Sequence, residues 1–263
     1  MEKFGFKKMF KNWTGYEIFL VVIGIVLPIS FSIIFGSTVI DCIVASLSII
    51  VAVLFTKGFY WGYILAIVNL CFYSIVEFGA GFYGELFINW GLYFPMYIFG
   101  LVEWLKHQDK EKSTIIIRKA MSKKEYAILI ASQLVCWIPY YFILSSLNAT
   151  NPLVGALSIA ASFVAAYLSA RRSLYCFVGY IVNDLVCIVL WTVQTITVDV
   201  SCITILLSPI MLLLNDIYGV ISWYRLREKQ KDLDDFGNKI GEKNEENQNW
   251  LKHFWQKICL RCI

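Results

Sequence analysis

Ile98-Phe99-Gly100-Leu101-Val102-Glu103-Trp104 returns, 119 residues further on, as Ile217-Tyr218-Gly219-Val220-Ile221-Ser222-Trp223. Two other echoes come before it, in the same order. Leu47-Ser48-Ile49 recurs as Leu157-Ser158-Ile159, an offset of 110. Asn69, which closes Tyr63-Ile64-Leu65-Ala66-Ile67-Val68-Asn69, is matched at an offset of 114 by Asn183, which closes Gly179-Tyr180-Ile181-Val182-Asn183. A drift of this size is what small loop insertions produce. A single Gly-x-x-x-Trp pair arises by chance in aromatic-rich helices, but three echoes in one order argue that a unit occurs twice.

The surroundings of the echoes say what kind of unit it is. Of 263 residues, 59% are apolar and 16% charged, with 19 Phe, 15 Tyr and 9 Trp. Mean hydropathy is +0.65. A soluble domain runs at about 45–50% apolar and about 25% charged, and a globule of this length must keep a largely polar outside. That excludes an ordinary soluble enzyme, a disordered chain and a secreted disulfide scaffold, and leaves the bilayer as solvent. A spanning helix needs roughly 20 mostly apolar residues. Eight runs qualify: 17–36, 38–56, 58–78, 84–104, 126–147, 152–170, 173–195 and 202–224. The first is too long for a cleavable signal, lacks an A-x-A exit and is followed by further spans. No short alternating pattern recurs, which disfavours a β-barrel.

Charge placement tests the count. The net charge of +4 is too small to point to nucleic acid, but the nine segments flanking the runs hold, in order, four, no, one, no, seven, no, two, no and nine Lys or Arg. Every basic residue falls on one side. The positive-inside bias then places both termini in the cytoplasm. The expected fold is all-α and integral to the membrane. A cytoplasmic N-terminal segment (1–16) and an extra helix (17–36) precede a three-helix repeat (38–104). A cytoplasmic loop with a linker helix (105–147) leads to a second three-helix repeat (152–224) and a cytoplasmic tail (225–263). Matching helices lie four spans apart and cross in the same direction, so the two trios form a parallel 3+1+3 repeat. Small carriers with this plan bind substrate near mid-membrane between the halves.

Polar groups inside a bilayer are costly unless they pair or line a wet cavity. Asn89, Tyr93 and Tyr97 follow i, i+4, i+8 and share one face of the fourth run, with Gly100 close by. Asn215, Tyr218 and Gly219 make a similar face on the eighth. Asn183 and Gly179 stack on the seventh, flanked by Cys176 and Tyr180, and Asn69 is the counterpart of Asn183 on the third. Such faces supply amides, hydroxyls and flat rings without a fixed charge cluster, a lining suited to a neutral or singly charged ring compound bearing hydroxyls, such as a nucleoside. Gly100, Gly179, Gly219, Trp104 and Trp223 are candidates for the pathway or for helix packing. The bland alternative is that Asn and Tyr only bond across helices. Glu77, Glu85 and Asp199 sit at outer ends, where solvation explains them. Asp184 and Asp216 adjoin the two asparagines, and both water contact and a pore-facing role are open for them. Pro28, Pro95, Pro139 and Pro209 fall inside runs and should kink them.

The eight cysteines form no CxxC or Cys/His ligand spacing and read as small buried hydrophobes, so no metal or cofactor is expected. The two histidines, His107 and His253, lie in cytoplasmic segments, and no nucleophile–base motif occurs in the spans, which argues against an enzyme. Short outer loops and the lack of a soluble domain argue against a sensor or scaffold. In the tail, Trp250, Leu251, Phe254, Trp255 and Ile258 recur with helical period. They read as an interfacial helix on the inner leaflet or as one packed on the bundle. The charged 106–124 loop reads as solvated at the membrane surface.

The run Tyr83-Gly84-Glu85-Leu86-Phe87-Ile88-Asn89, then Tyr93-Phe94-Pro95-Met96, Gly100 and Trp104, resembles the PnuC family of bacterial vitamin transporters. So do Asn183 with Trp191, and Asn215-x-x-Tyr218-Gly219-x-x-x-Trp223-Tyr224. The resemblance covers roughly residues 15–227. It implies facilitated diffusion of nicotinamide riboside across the bacterial cytoplasmic membrane, trapping by a cytoplasmic kinase, and a homotrimer with one pathway per protomer. Two departures bear on the cargo. Relatives usually read Pro-Met-Gln where this chain reads Pro95-Met96-Tyr97. They also usually carry Glu-x-Trp-x-x-Trp-x-x-x-Asn where this chain has Leu174, Cys176, Gly179 and Asn183. Losing two stacking indoles should enlarge or reshape the pocket, with Tyr97 a substitute ring. Deoxyribonucleosides, thiamine and riboflavin, carried by relatives in the same superfamily, are therefore alternative cargoes.

Overall fold

A computed structural model describes residues 13–79, 86, 88–109, 114–118, 121–147, 151–197, 200, 203–231 and 233. In chain order the helices are α1 (Gly15–Phe35), α2 (Val39–Thr56), α3 (Trp61–Gly79), α4 (Phe94–Lys106), α5 (Lys123–Ser146), α6 (Pro152–Ala170), α7 (Cys176–Thr197) and α8 (Ile203–Lys229). Among the described residues there is no strand beyond an isolated bridge between Gln108 and Ile115. Tyr83, Glu85, Asp199 and the tail stripe from Trp250 to Ile258 lie outside the described residues.

Six helices, α1, α2, α5, α6, α7 and α8, are long and apolar enough to cross a bilayer. The other two expected spans fall short for separate reasons. The apolar part of α3 is described only over Trp61–Val76. The fourth run is broken by a π-helical turn over Asn89–Tyr93, in which the Phe94 N–H donates to the Asn89 carbonyl five residues back. Pro95 follows at the start of α4 and has no N–H to give. Large apolar side chains face outward in stripes, among them Ile18, Val22 and Val26 on α1 and Ile128, Val135 and Phe142 on α5. That is the surface a lipid-facing helix presents.

Helix ends follow from short polar signals. Thr14 caps α1 and pairs reciprocally with Glu17, and Thr38 does the same for α2 with Asp41. Ser122 caps α5 by accepting from the Glu125 N–H, and Pro152 starts α6. Beyond α2 the chain reverses through Gly58 at φ 71°, and beyond α6 through Arg172 at φ 58°. The left-handed turn suits glycine. Arg172 tolerates it because its guanidinium donates to the Ile116 carbonyl at 2.8 Å.

Within each trio, α2 packs on α3 and α3 on α4, while α6 packs on α7 and α7 on α8. Between trios, α2 meets α8 and α4 meets α6; α1 lies against α2 and α8, and α5 against α6. Two buried tryptophans tie the trios at these crossings. Trp104 Nε1 donates to the Ser169 carbonyl at 2.9 Å, and Trp223 Nε1 to the Phe55 carbonyl at 3.0 Å. Their rings, with Phe55, Tyr63 and Phe177, form one apolar cluster at the end of the bundle that carries the basic segments. Outer helices are pinned there by ion pairs. Lys57 Nζ meets Glu17 of α1 at 2.8 Å, and Arg171 Nε meets Glu125 of α5 at 3.0 Å.

The 106–124 loop departs from expectation. Ile115, Ile116 and Ile117 are 1%, 2% and 3% exposed. The Ile115 N–H donates to the Gly58 carbonyl at 2.9 Å and the Arg118 N–H to the Arg172 carbonyl at 3.1 Å. Gln230, just past α8, accepts from the Ile117 N–H at 3.1 Å and donates to the Ile115 carbonyl at 2.8 Å. Within the loop, the stretch from Ile115 to Arg118 therefore lies against both reversal turns, with Ile115–Ile117 buried. Three consecutive β-branched apolar residues inside a charged loop are the reason.

Candidate functional site

A cavity of about 740 Å³ opens between the trios. Its walls come from α2, α3, the π turn, α4, α6, α7 and α8, with Leu144 and Leu147 from the far end of α5. It reaches Asp41, in the first turn of α2, and Asn151, the residue before α6, at the end away from the basic segments. Toward the basic end it stops at Phe55, Phe177 and Tyr97, above the aromatic cluster.

Six of the eight candidate binding residues line this one space: Asn69, Asn89, Tyr93, Tyr97, Tyr180 and Asn183. Asn183 Oδ1 accepts from Ser162 Oγ at 2.7 Å and from Ser158 Oγ at 3.3 Å. Asn69 Nδ2 donates to Ser48 Oγ at 3.0 Å, while its buried Oδ1 has no partner. Tyr93 donates to the Ile159 carbonyl at 3.4 Å, a link from the π turn across to α6. The turn gives the fourth span its shape at Asn89. The wider backbone ladder there, followed by Pro95 without an N–H, interrupts the regular α-helical bonding of this span.

Asn215 and Tyr218 are not part of the lining, contrary to the sequence reading. Asn215 is 0% exposed; its Nδ2 donates to Asp216 Oδ1 at 2.9 Å and its Oδ1 accepts from Thr56 Oγ1 at 3.2 Å. Tyr218 sits at the α1 contact, stacked obliquely on Tyr16 at 4.8 Å between centroids and donating to Glu17 Oε1 at 3.4 Å. One turn along α8, the helix face that looked uniform in sequence divides between the α2 and α1 interfaces.

The glycines and tryptophans are packing elements. A Cβ on Gly100 would overlap the Tyr63 ring, and one on Gly219 would lie 2.5 Å from Phe177. Tyr63 OH lies 3.2 Å from Ser169 Oγ, closing the same corner. An exit past Gly100 and Gly219 is therefore filled by rings in this structure. At Gly179 a Cβ would stand 3.1 Å from the Ala165 Cα, so α6 and α7 touch there. Cys176 is fully buried in the aromatic cluster. At the positions of the two missing indoles this chain therefore has a close α6–α7 contact at Gly179 and a buried thiol at Cys176.

Two features were missed in sequence. Tyr73, Trp191 and the serines Ser48, Ser158 and Ser162 also line the cavity. The signal for two of those serines was present, since Ser48 and Ser158 are the centres of the Leu-Ser-Ile echoes. The lining also contains Asp41, which the sequence reading had not singled out, and Asp184 and Asp216, whose facing it had left open; among the described residues it contains no Lys, Arg or His. Among the described residues no group of three His, Cys, Asp or Glu is placed to hold a metal.

Comparison with known proteins agrees with this architecture. The profile of the nicotinamide mononucleotide transporter family matches residues 38–225. The chain is 23% identical over 223 residues to the nicotinamide riboside transporter PnuC of Neisseria mucosa, covering 84% of this chain and 85% of that one. It also superposes on the crystal structure of the vitamin B3 transporter PnuC with a TM-score of 0.73 at 22% identity, covering 85% of this chain and 96% of the other.

Proposed function

From its place in the nicotinamide mononucleotide transporter family, to which this chain belongs, we propose a carrier that passes nicotinamide riboside down its gradient into the cell. The observation that carries this reading is the cavity between the trios. Its volume of about 740 Å³ lies within the roughly 300–1,000 Å³ of small-molecule sites. Asn69, Asn89 and Asn183 offer donors and acceptors to ribose hydroxyls and a carboxamide, and Tyr93, Tyr97, Tyr180 and Trp191 offer rings to stack on. The mononucleotide is disfavoured, because a phosphate would enter a space lined, among the described residues, by three carboxyl residues and no basic one.

The two trios act as the halves of a 3+1+3 parallel repeat in the cytoplasmic membrane of a bacterium. The basic end faces the cytoplasm and both termini lie inside. Substrate enters at the Asp41–Asn151 end, and rocking of one trio against the other unstacks the Trp104–Trp223 cluster to release it. A cytoplasmic kinase then traps it, no ion gradient is spent, and three copies assemble. A second reading, uptake of a deoxyribonucleoside, thiamine or riboflavin through the same space, is favoured by the absence of the family's two indoles on α7.

The test is uptake of labelled nicotinamide riboside by vesicles containing the purified chain, with and without an imposed sodium or proton gradient. Equilibrating uptake that needs no gradient is expected. Uptake only with a gradient would overturn the uncoupled mechanism, and no uptake of the riboside beside uptake of a deoxyribonucleoside would move the cargo to the second reading.

A further inference from the structure

We propose that Asp184 and Asp216 form a subsite for a positively charged ring, so that the cavity selects a cationic N-substituted heterocycle over a neutral nucleoside of like shape. This rests on the carrier reading above. Asp184 follows Asn183 on α7 and Asp216 follows Asn215 on α8. Those two helices pack on each other, and both aspartates line the same cavity. Two carboxylates facing one space repel each other, and a cation placed between them relieves that repulsion. Both residues line the cavity, and they are only 3% and 5% exposed.

Their surroundings set the two acids apart. Asp216 is oriented by Asn215 Nδ2, and Asn215 is in turn held by Thr56. Asp184 Oδ2 is buried with no hydrogen-bond partner at all. Among the described residues no ion pair reaches either carboxyl. The Cys187 thiol lines the same cavity and is not a cation. A charge held in a bilayer without a partner is among the most costly features a membrane protein can keep. A monocationic ligand supplies that partner. Tyr97, Phe177 and Tyr180 stand around the same floor and offer ring faces to the same charge. At the repeat offsets of 114 and 119, the first trio has Leu70 and Tyr97 where the second has Asp184 and Asp216. The negative charge therefore sits on one wall only and gives the ring an orientation. A pyridinium or thiazolium ring fits this wall. A purine or an isoalloxazine, being neutral, does not need it.

The experiment is equilibrium binding to the purified full chain with two cations, nicotinamide riboside and thiamine, and two neutral compounds, the reduced dihydropyridine riboside and a deoxyribonucleoside. The oxidised riboside is expected to bind about tenfold or more tightly than its reduced form, the usual scale of a charge-assisted contact. Asp184→Asn and Asp216→Asn, which keep the shape, should bring that ratio to within about threefold, and thermal unfolding of the purified variants reports that they fold. Equal binding of the two ribosides by the unaltered chain, or an unchanged ratio in both variants, would overturn the subsite. A ratio that follows replacement of sodium by potassium, and not the aspartates, would overturn it in favour of an inorganic cation. Tight, aspartate-dependent thiamine binding with none of either riboside would remove the riboside cargo and leave the subsite standing.

Discussion

The two trios share their scaffold and differ in their chemistry. Trp104 and Trp223 each donate to a carbonyl of the other trio, and Tyr63 and Phe177 each fill the groove over a glycine. Asn69 and Asn183 each bond serine on the preceding first helix of their own trio. Lys57 and Arg171 stand at the same offset and each hold the glutamate of an outer helix. Where the halves match, most of the residues make the frame, though Asn69 and Asn183 also line the cavity. Where they part, at Leu70 against Asp184 and Tyr97 against Asp216, the residues face the cavity.

The strongest way to break the match is at the glycines. Gly100→Leu and Gly219→Leu should each abolish uptake and lower stability by at least about 1–3 kcal/mol, the usual penalty of overpacking. Thermal unfolding of the purified variants checks this, and a near-native midpoint in either would mean the ring above it has somewhere to go. Next comes the buried pair. Glu17→Gln removes the carboxylate of a pair only 9% and 5% exposed, and should cost on the order of 3 kcal/mol. Glu125→Gln breaks a pair some 20–28% exposed and should cost below about 1 kcal/mol after screening by solvent. Equal losses would mean the two outer helices are anchored alike.

A third comparison sharpens the binding site. Asn183→Ala removes the acceptor of two serine hydroxyls and should weaken riboside binding by roughly 1–3 kcal/mol. Asn69→Ala removes one such bond and should weaken it by less, as read by titration calorimetry. The smallest effect is expected at the tryptophans. Trp104→Phe and Trp223→Phe each delete one indole hydrogen bond and should each cost about 1 kcal/mol. Chemical denaturation would check the equality, and a large difference would show that only one crossing bears load.

Much of this was readable beforehand. The runs, the side of the positive charges and the three echoes led to an all-helical membrane bundle, and the lone polar residues Asn69, Asn89 and Asn183 led to one cavity. The errors share a cause. Asn215 and Tyr218 lie one turn apart on α8, yet one faces α2 and the other α1. A period of 3.6 residues fixes which residues share a stripe, not which neighbour that stripe meets. Ile115–Ile117 were hidden by the charges around them. Asp184 and Asp216 are 32 residues apart in the chain, so only helix packing reveals them as a pair. The π turn at Asn89 leaves no sequence mark beyond Pro95.

The most direct test of a solvent-filled chamber between the trios is thiol labelling. In a background freed of the eight native cysteines, Asn89→Cys and Asn183→Cys should react with a membrane-impermeant maleimide, and nicotinamide riboside should slow both reactions. Leu134→Cys, on the outward face of α5, should stay unreactive in lipid. Silent cysteines at 89 and 183, or labelling that substrate does not slow, would contradict the chamber and the carrier built around it.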